Sequence, residues 1–389
     1  MTETAVAGAE LRRAKPINRP ARPYFSSGPC AKPPGWSPDK LETVALGRSH
    51  RGSVGKSRLQ DAIDRTSVLL QLPSDYRLGI VPASDTGAME MALWSLLGPR
   101  PVTMLAWESF GQGWVTDVAK QLKIDAEIRT ADYGEIADLE RIDADSDVVF
   151  TWNGTTSGVR VPNADWIAET RTGLTICDAT SAAFAQDIDW AKLDVATFSW
   201  QKALGGEAAH GMLVLSPRAI ERLEKEPAAR ALPKIFRLTK GGQLIDGIFR
   251  GETINTPSML CVEDWLFALD WAERIGGLNA LIARADANAA MLDGWVTQAD
   301  WIEHLAKDPR TRSNTSVCLQ FTDRSDEKAN RARQKAIGTL LEREGVAFDV
   351  SAYRDAPPGL RIWCGATVEA ADIKALGPWL EWAWDETRT

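Results

Sequence analysis

Histidine is nearly missing from this chain: His50, His210 and His304 are the only three among 389 residues. Imidazoles so few and so far apart argue against a histidine-built metal centre or a serine-type triad, and no metal site is expected. Five cysteines (Cys30, Cys177, Cys261, Cys318 and Cys364) are odd in number, widely spaced and without a C-x-x-C pair. They supply neither a disulfide framework nor a zinc site, and they suit a reducing cytoplasm. No apolar run approaches the ~18 residues of a membrane span, so no membrane partner is expected. Positive charge is short as well: 45 Lys and Arg against 53 Asp and Glu leave a formal charge of −8. Such a balance offers no basic face for nucleic acid.

What is present is a large apolar fraction. At 44% hydrophobic over 389 residues, the chain can bury an extensive core and is long enough for two domains. Its 16 tryptophans, including Trp107, Trp152 and Trp200, read as packing residues. Apolar runs alternate with amphipathic helical patterns, which predicts an α/β fold with a mostly parallel sheet covered by helices. Residues 1–20 lack the apolar core of a secretory signal and read as a flexible tail. Residues 21–262 read as the large domain. A helix near Cys261 aligns Trp265, Ala268, Leu269, Ala272 and Ile275 before Gly276-Gly277, and it is expected to bridge into a smaller α/β domain over 263–389. In that domain "SVCLQF" and "LRIWCG" read as strands, and 327–344 and 369–384 as helices.

The chemistry concentrates at strand ends. "LTICD" closes on Asp178, and "ATFSWQKALGG" puts Lys202 just past a strand and before two glycines. Parallel sheets build ligand sites at that edge. A lysine amine beside a carboxylate is what pyridoxal phosphate requires: the amine forms a Schiff base, and the carboxylate keeps the pyridine nitrogen protonated so the ring can accept electrons. Upstream, "VPASDTGAMEMALWSLLG" passes from an extended run into a helix that starts at Ser84, Asp85 and Thr86. Free N–H groups and hydroxyls there form a phosphate cradle, with Gly87 permitting close approach of the anion; simple capping is the alternative.

Seven segments together resemble the phosphoserine aminotransferases, class V members of the fold type I pyridoxal phosphate enzymes. They are "FSSGP" (25–29), "SHRG" (49–52), "ASDTGAME" (83–90), "CDATS" (177–181), "SWQKALGG" (199–206), "INTPS" (254–258) and "GLRIW" (359–363). The resemblance runs from Pro23 to Trp384 and implies a seven-stranded-type sheet in the large domain. It also implies site roles. Lys202 would carry the cofactor and Asp178 face its ring nitrogen, while Asp85, Thr86 and Gln201 contact its phosphate. Thr155 would lie by the ring hydroxyl and Phe110 over the ring. Asn255 and Thr256 would reach the phosphate from a neighbouring subunit, implying a homodimer with shared sites. Arg361 would clamp the substrate α-carboxylate, and His50 with Arg51, also from the other subunit, would bind the substrate phosphate.

The chain departs from the common pattern in three places. "PASDTG" lacks an arginine found there in many relatives, Phe110 replaces a tryptophan, and Tyr353-Arg354 stand where histidines are usual; Arg354 is a candidate phosphate ligand. Arg361 could instead form an interdomain ion pair, and His50-Arg51 a plain basic turn. The expected activity is transfer of the amino group of glutamate onto a phosphorylated keto acid, 3-phosphohydroxypyruvate, in serine biosynthesis. A serine–glyoxylate or alanine–glyoxylate aminotransferase is the rival within the class, and a noncatalytic cofactor-binding module the rival outside it.

Overall fold

The computed structural model describes residues 13–388. In the large domain the strands are β1 (Arg77–Pro82), β2 (Val102–Ala106), β3 (Ala126–Thr130), β4 (Asp147–Thr151), β7 (Thr175–Asp178), β8 (Val195–Ser199) and β9 (His210–Leu215). Two short hairpins, β5 (Asn153–Gly154) with β6 (Val159–Arg160) and β10 (Thr239–Lys240) with β11 (Gln243–Leu244), decorate it. The sheet has seven strands in the order β1-β9-β8-β7-β4-β2-β3. Only β9 runs against the rest, pairing antiparallel with both β1 and β8. Every residue of β2, β4, β7, β8 and β9 is buried, as expected of strands covered on both faces, and their continuous β-branched and aliphatic runs reflect it.

Helices α1 (Ser53–Leu69), α2 (Ser84–Leu96), α3 (Ser109–Thr116), α4 (Pro217–Lys225) and α5 (Met259–Arg274) cover the sheet. Leu59, Ala62, Ile63, Thr66 and Leu69 of α1 recur at helical spacing and are buried. After α6 (Gly277–Val296) come an antiparallel sheet of β12 (Ile302–His304), β13 (Ser316–Phe321) and β14 (Gly359–Trp363), and helices α7 (Glu327–Arg343) and α8 (Ala370–Glu386).

The domain boundaries differ from the expectation at three points. First, α5 belongs to the large core, where Val262, Trp265, Leu266, Leu269 and Ala272 lie. The bridge is α6, with Leu281 and Ala285 in the large core but Leu292 and Val296 in the small one. Second, Phe25, Cys30 and Ala31 pack in the small-domain core, so the chain contributes to that domain before it builds the large one. Third, residues 13–20 are anchored: Arg13 pairs with Asp385 at 2.9 Å, Lys15 with Glu344 at 2.6 Å, and Trp379 Nε1 donates to the Asn18 carbonyl at 2.7 Å. The remaining tail positions, 1–12, lie outside the described residues.

Candidate active site

Five strand ends converge at one edge of the large sheet because β1, β2, β4, β7 and β8 point the same way. Asp178 is the last residue of β7, pairs in register with Thr197 of β8, and is 5% exposed. Two donors fix its carboxylate: Trp114 Nε1 on α3 reaches Oδ2 at 3.2 Å, and the Thr180 N–H reaches Oδ1 at 3.0 Å. The β8 strand ends at Ser199, and Trp200, stacked on Trp265 at 5.3 Å, anchors the turn that delivers Lys202. Gly205 has φ +65°, and a Cβ there would strike the Ala31 carbonyl, so this turn needs glycine.

Lys202 is 9% exposed, and its Nζ donates to the Ser27 carbonyl at 2.5 Å. A Cβ at Gly28 would collide with that amine. Burial pulls the lysine below its ordinary pKa; Arg361 acts in the same direction, while Cys30, Asp178 and Asp85 oppose it. The structure therefore gathers Lys202, Asp178, Asp85 and Arg361 around one buried point. Ser27 extends the cluster across the domains: Ser316 Oγ on β13 donates to Ser27 Oγ at 3.0 Å and to the Thr155 carbonyl at 2.6 Å. Thr155 itself is buried in the turn between β5 and β6.

The strand-to-helix turn before α2 is strained. Ala83 and Ser84 both adopt left-handed φ, +66° and +53°. No side chain caps the helix, and the Asp85 and Thr86 N–H groups find no partner among the described residues, while Ser84 N–H makes a long bond to the Ala209 carbonyl. Side-chain capping by Ser84, Asp85 or Thr86 is thus not what this sequence provides. Gly87 has a different role from the one expected: its missing Cβ faces the Pro82 carbonyl and Ala83, so it permits close helix–strand packing. Asp85 also differs. Its carboxyl is 7% exposed and turned toward Asp178, leaving its N–H as the group available to an anion.

Arg361 on β14 is half-buried, lies 5.5 Å from the Tyr353 ring centroid, and has an unpartnered buried Nε. No carboxylate pairs with it among the described residues, which disfavours the ion-pair alternative. Tyr353 also meets Phe110 at 5.8 Å between ring centroids, and the Arg354 guanidinium lies 5.3 Å from the Tyr353 ring centroid. Phe110 and Arg354 are exposed at this rim, and Ser109 Oγ donates to Asp355 Oδ2 at 3.1 Å to tie the loop to α3. Glu108, the α3 cap, accepts from Gly111 N–H and Thr156 Oγ1, and burial raises it to about 7. Gln201 is half-buried with an unpartnered amide oxygen.

His50, Arg51, Asn255 and Thr256 are not among the neighbours of Lys202 within the chain. The segments that carry them meet: Lys56, in the helix that follows His50-Arg51, pairs with Glu252, Gly251 abuts the Lys56 carbonyl, and Ser258 N–H donates to His210 Nε2, whose ring packs on Trp200. His50 is buried with an unpartnered Nε2, and burial followed by the Arg51 charge lowers its pKa. Arg51, Asn255 and Thr256 are exposed. Trp114, Ser27 and Glu108 are neighbours of this cluster that sequence reasoning did not single out. Only Ser27, inside "FSSGP", lay in a segment with a signal.

No protein-family profile matches the chain. Over 372 residues it is 58% identical to the phosphoserine aminotransferase of Methanosarcina barkeri, covering 95% of this chain and 99% of that protein. The solved phosphoserine aminotransferase of Cytophaga hutchinsonii superposes with a TM-score of 0.78 at 22% identity, over 92% of this chain and 98% of that one. The alanine–glyoxylate aminotransferase of a Nostoc species reaches 0.75 at 19%, over 95% and 97%. Two activities on nearly equal superpositions mean that the backbone carries the fold and not the substrate. Sequence identity separates them: matched at 58% along almost its whole length, the chain belongs to the phosphoserine aminotransferase family.

Proposed function

We propose that this enzyme transfers the amino group of glutamate to 3-phosphohydroxypyruvate, giving 2-oxoglutarate and O-phosphoserine, with pyridoxal phosphate held on Lys202. The observation that carries the reading is the convergence of Lys202, Asp178 and Arg361 beside the unpartnered N–H groups that open α2. The residues fit the cofactor. Buried polar atoms without partners at Asp85, Thr151, Thr180, Ser199, Gln201 and Arg361 belong to this sheet edge and its rim, as a site shaped for a polar ligand requires. Ser84, Asp85, Thr86 and Gln201 would take the cofactor phosphate, Thr155 and Phe110 would flank the ring, and Asp178 would hold its nitrogen.

When bound, the cofactor supplies an electron sink for negative charge at the substrate Cα. The chain supplies the rest. Lys202, with its ammonium destabilised by burial, would take the substrate Cα proton at Nζ and hold it for return. Trp114 and Thr180 keep Asp178 oriented. Arg361, free of carboxylate partners, takes the carboxylate common to both substrates. His50 and Arg51, with Asn255 and Thr256, would complete the site of a second subunit in a cytoplasmic homodimer. The exposure of Arg51, Asn255 and Thr256, on segments linked by the Lys56–Glu252 pair, supports that role.

Borohydride reduction of the loaded enzyme followed by peptide mapping tests the attachment: the pyridoxyl group is expected on Lys202, and its appearance on another lysine overturns the assignment. Half-reactions followed through the cofactor spectrum test the substrate. Rapid turnover with glutamate and O-phosphoserine is expected, with serine and alanine slow. Equal rates for unphosphorylated amino acids would favour a glyoxylate aminotransferase, and no half-reaction at all would favour a noncatalytic module.

A further inference from the structure

Asp85 opens α2, a helix packed across β8 and β9 and touching β7, and its carboxyl meets that of Asp178 at the end of β7. Both side chains are more than nine-tenths buried. Two carboxylates held together away from water cannot both ionise, so their donors decide which keeps the charge. Asp178 has two N–H donors, Trp114 Nε1 and the Thr180 amide. Asp85 has no N–H donor, and its Oδ1 is buried without a partner.

We propose that Asp85 is a positioning residue that stays uncharged and donates its carboxyl proton in a hydrogen bond to Asp178, so that a single negative charge faces the cofactor ring. Burial, first, and the charge of Asp178, second, both push the Asp85 carboxyl well above the usual carboxylate range. Arg361, beside Lys202, is the fixed cation of the cluster, and the other titratable groups around the pair add no further one. Lys202 is the nearest base, and burial lowers it. Cys177 on β7 is a thiol pushed upward by burial, Glu108 acts on Asp178 from the α3 cap, and His210 at the start of β9 is lowered to about 4 and stays neutral. Holding Asp178 by a neutral donor fixes the carboxylate without adding charge, and it moderates its basicity toward the ring nitrogen.

In the loaded enzyme this inference rests on Asp178 as the ring partner; its test in the cofactor-free full chain does not. Infrared difference spectra between wild type and Asp85→Asn at pH 7.5 are expected to show a protonated-carboxyl C=O stretch, sensitive to D₂O, that is present in wild type and gone in the variant. Asp85→Ser serves the same comparison if the asparagine variant does not fold. Linkage gives a second readout. A carboxyl raised in the folded state stabilises fully below its unfolded pKa and loses that contribution as pH rises toward its folded value. Asparagine has no such proton. The melting-temperature gap, variant minus wild type, is therefore expected to widen as pH rises from 5 to 8, by up to about 5 °C for one proton in a chain of this length. Absence of the carboxyl band, or a gap flat with pH, overturns the proposal. Failure of cofactor attachment at Lys202 would instead overturn the functional reading and leave both cofactor-free results standing.

Discussion

Arg361 and Arg51 are cations without a carboxylate partner among the described residues, yet their surroundings differ. Arg361 is half-buried beside Tyr353 and within electrostatic reach of Lys202. Arg51 is exposed at the entrance to α1. The two should therefore divide the substrate between them. Arg361→Ala is expected to lower kcat/KM in both half-reactions. Arg51→Ala should lower kcat/KM for O-phosphoserine by about 1.5–3 kcal/mol, the range for a hydrogen bond to a charged group, and alter the glutamate half-reaction far less. Stopped-flow traces of the two half-reactions measure this directly. Equal losses in the Arg51 variant would mean that the residue organises the site generally, removing the basis for phosphate selectivity.

Among the elements, the turn after β8 makes the strictest demand on sequence. Gly205 combines a left-handed φ with a Cβ position already occupied by the Ala31 carbonyl, whereas Gly241 has a similar φ, +62°, and open space around it. Gly241→Ala should cost roughly 1 kcal/mol from backbone conformation alone, and Gly205→Ala about 2–4 kcal/mol because backbone must also move. Paired denaturation curves give the comparison, and equal costs would show that the Ala31 segment yields freely. Such turns are legible in sequence: the strand runs into Asp178 and Lys202, the helix start at Ser84 and the glycine pair all register local geometry. Contacts between distant segments are not. Nothing local in "FSSGP" says that Phe25 packs in the small-domain core, nor does the α5 pattern reveal that α6, with apolar residues shared between two cores, is the bridge. The sequence places Asp85 at the helix start expected to cradle a phosphate, and only the packing of α2 over β7 and β8 turns its carboxyl toward Asp178.

At the scale of the whole molecule, one chain gathers Lys202, Asp178 and Arg361, and it carries His50-Arg51 and Asn255-Thr256 on two other segments that meet. There Lys56–Glu252 joins α1 to the segment before α5, Arg58–Glu263 joins α1 to α5 itself, and Leu260 is 52% exposed. A twofold pairing through that face would bring His50-Arg51 and Asn255-Thr256 of each chain to the lysine of the other. Complementation distinguishes this from a site built within one chain. Lys202→Ala and Arg51→Ala are each expected to be poorly active with O-phosphoserine. In a hybrid of the two, the chain that retains Lys202 receives Arg51 from its partner, so one of the two sites is whole. Random exchange of equal amounts makes half the dimers hybrid, and activity should recover to about a quarter of the wild-type level. Were Arg51 to serve its own chain's lysine, each site of the hybrid would lack one of the two residues. Subunit exchange verified by native mass spectrometry, with activity no higher than the sum of the parents, would therefore refute sharing.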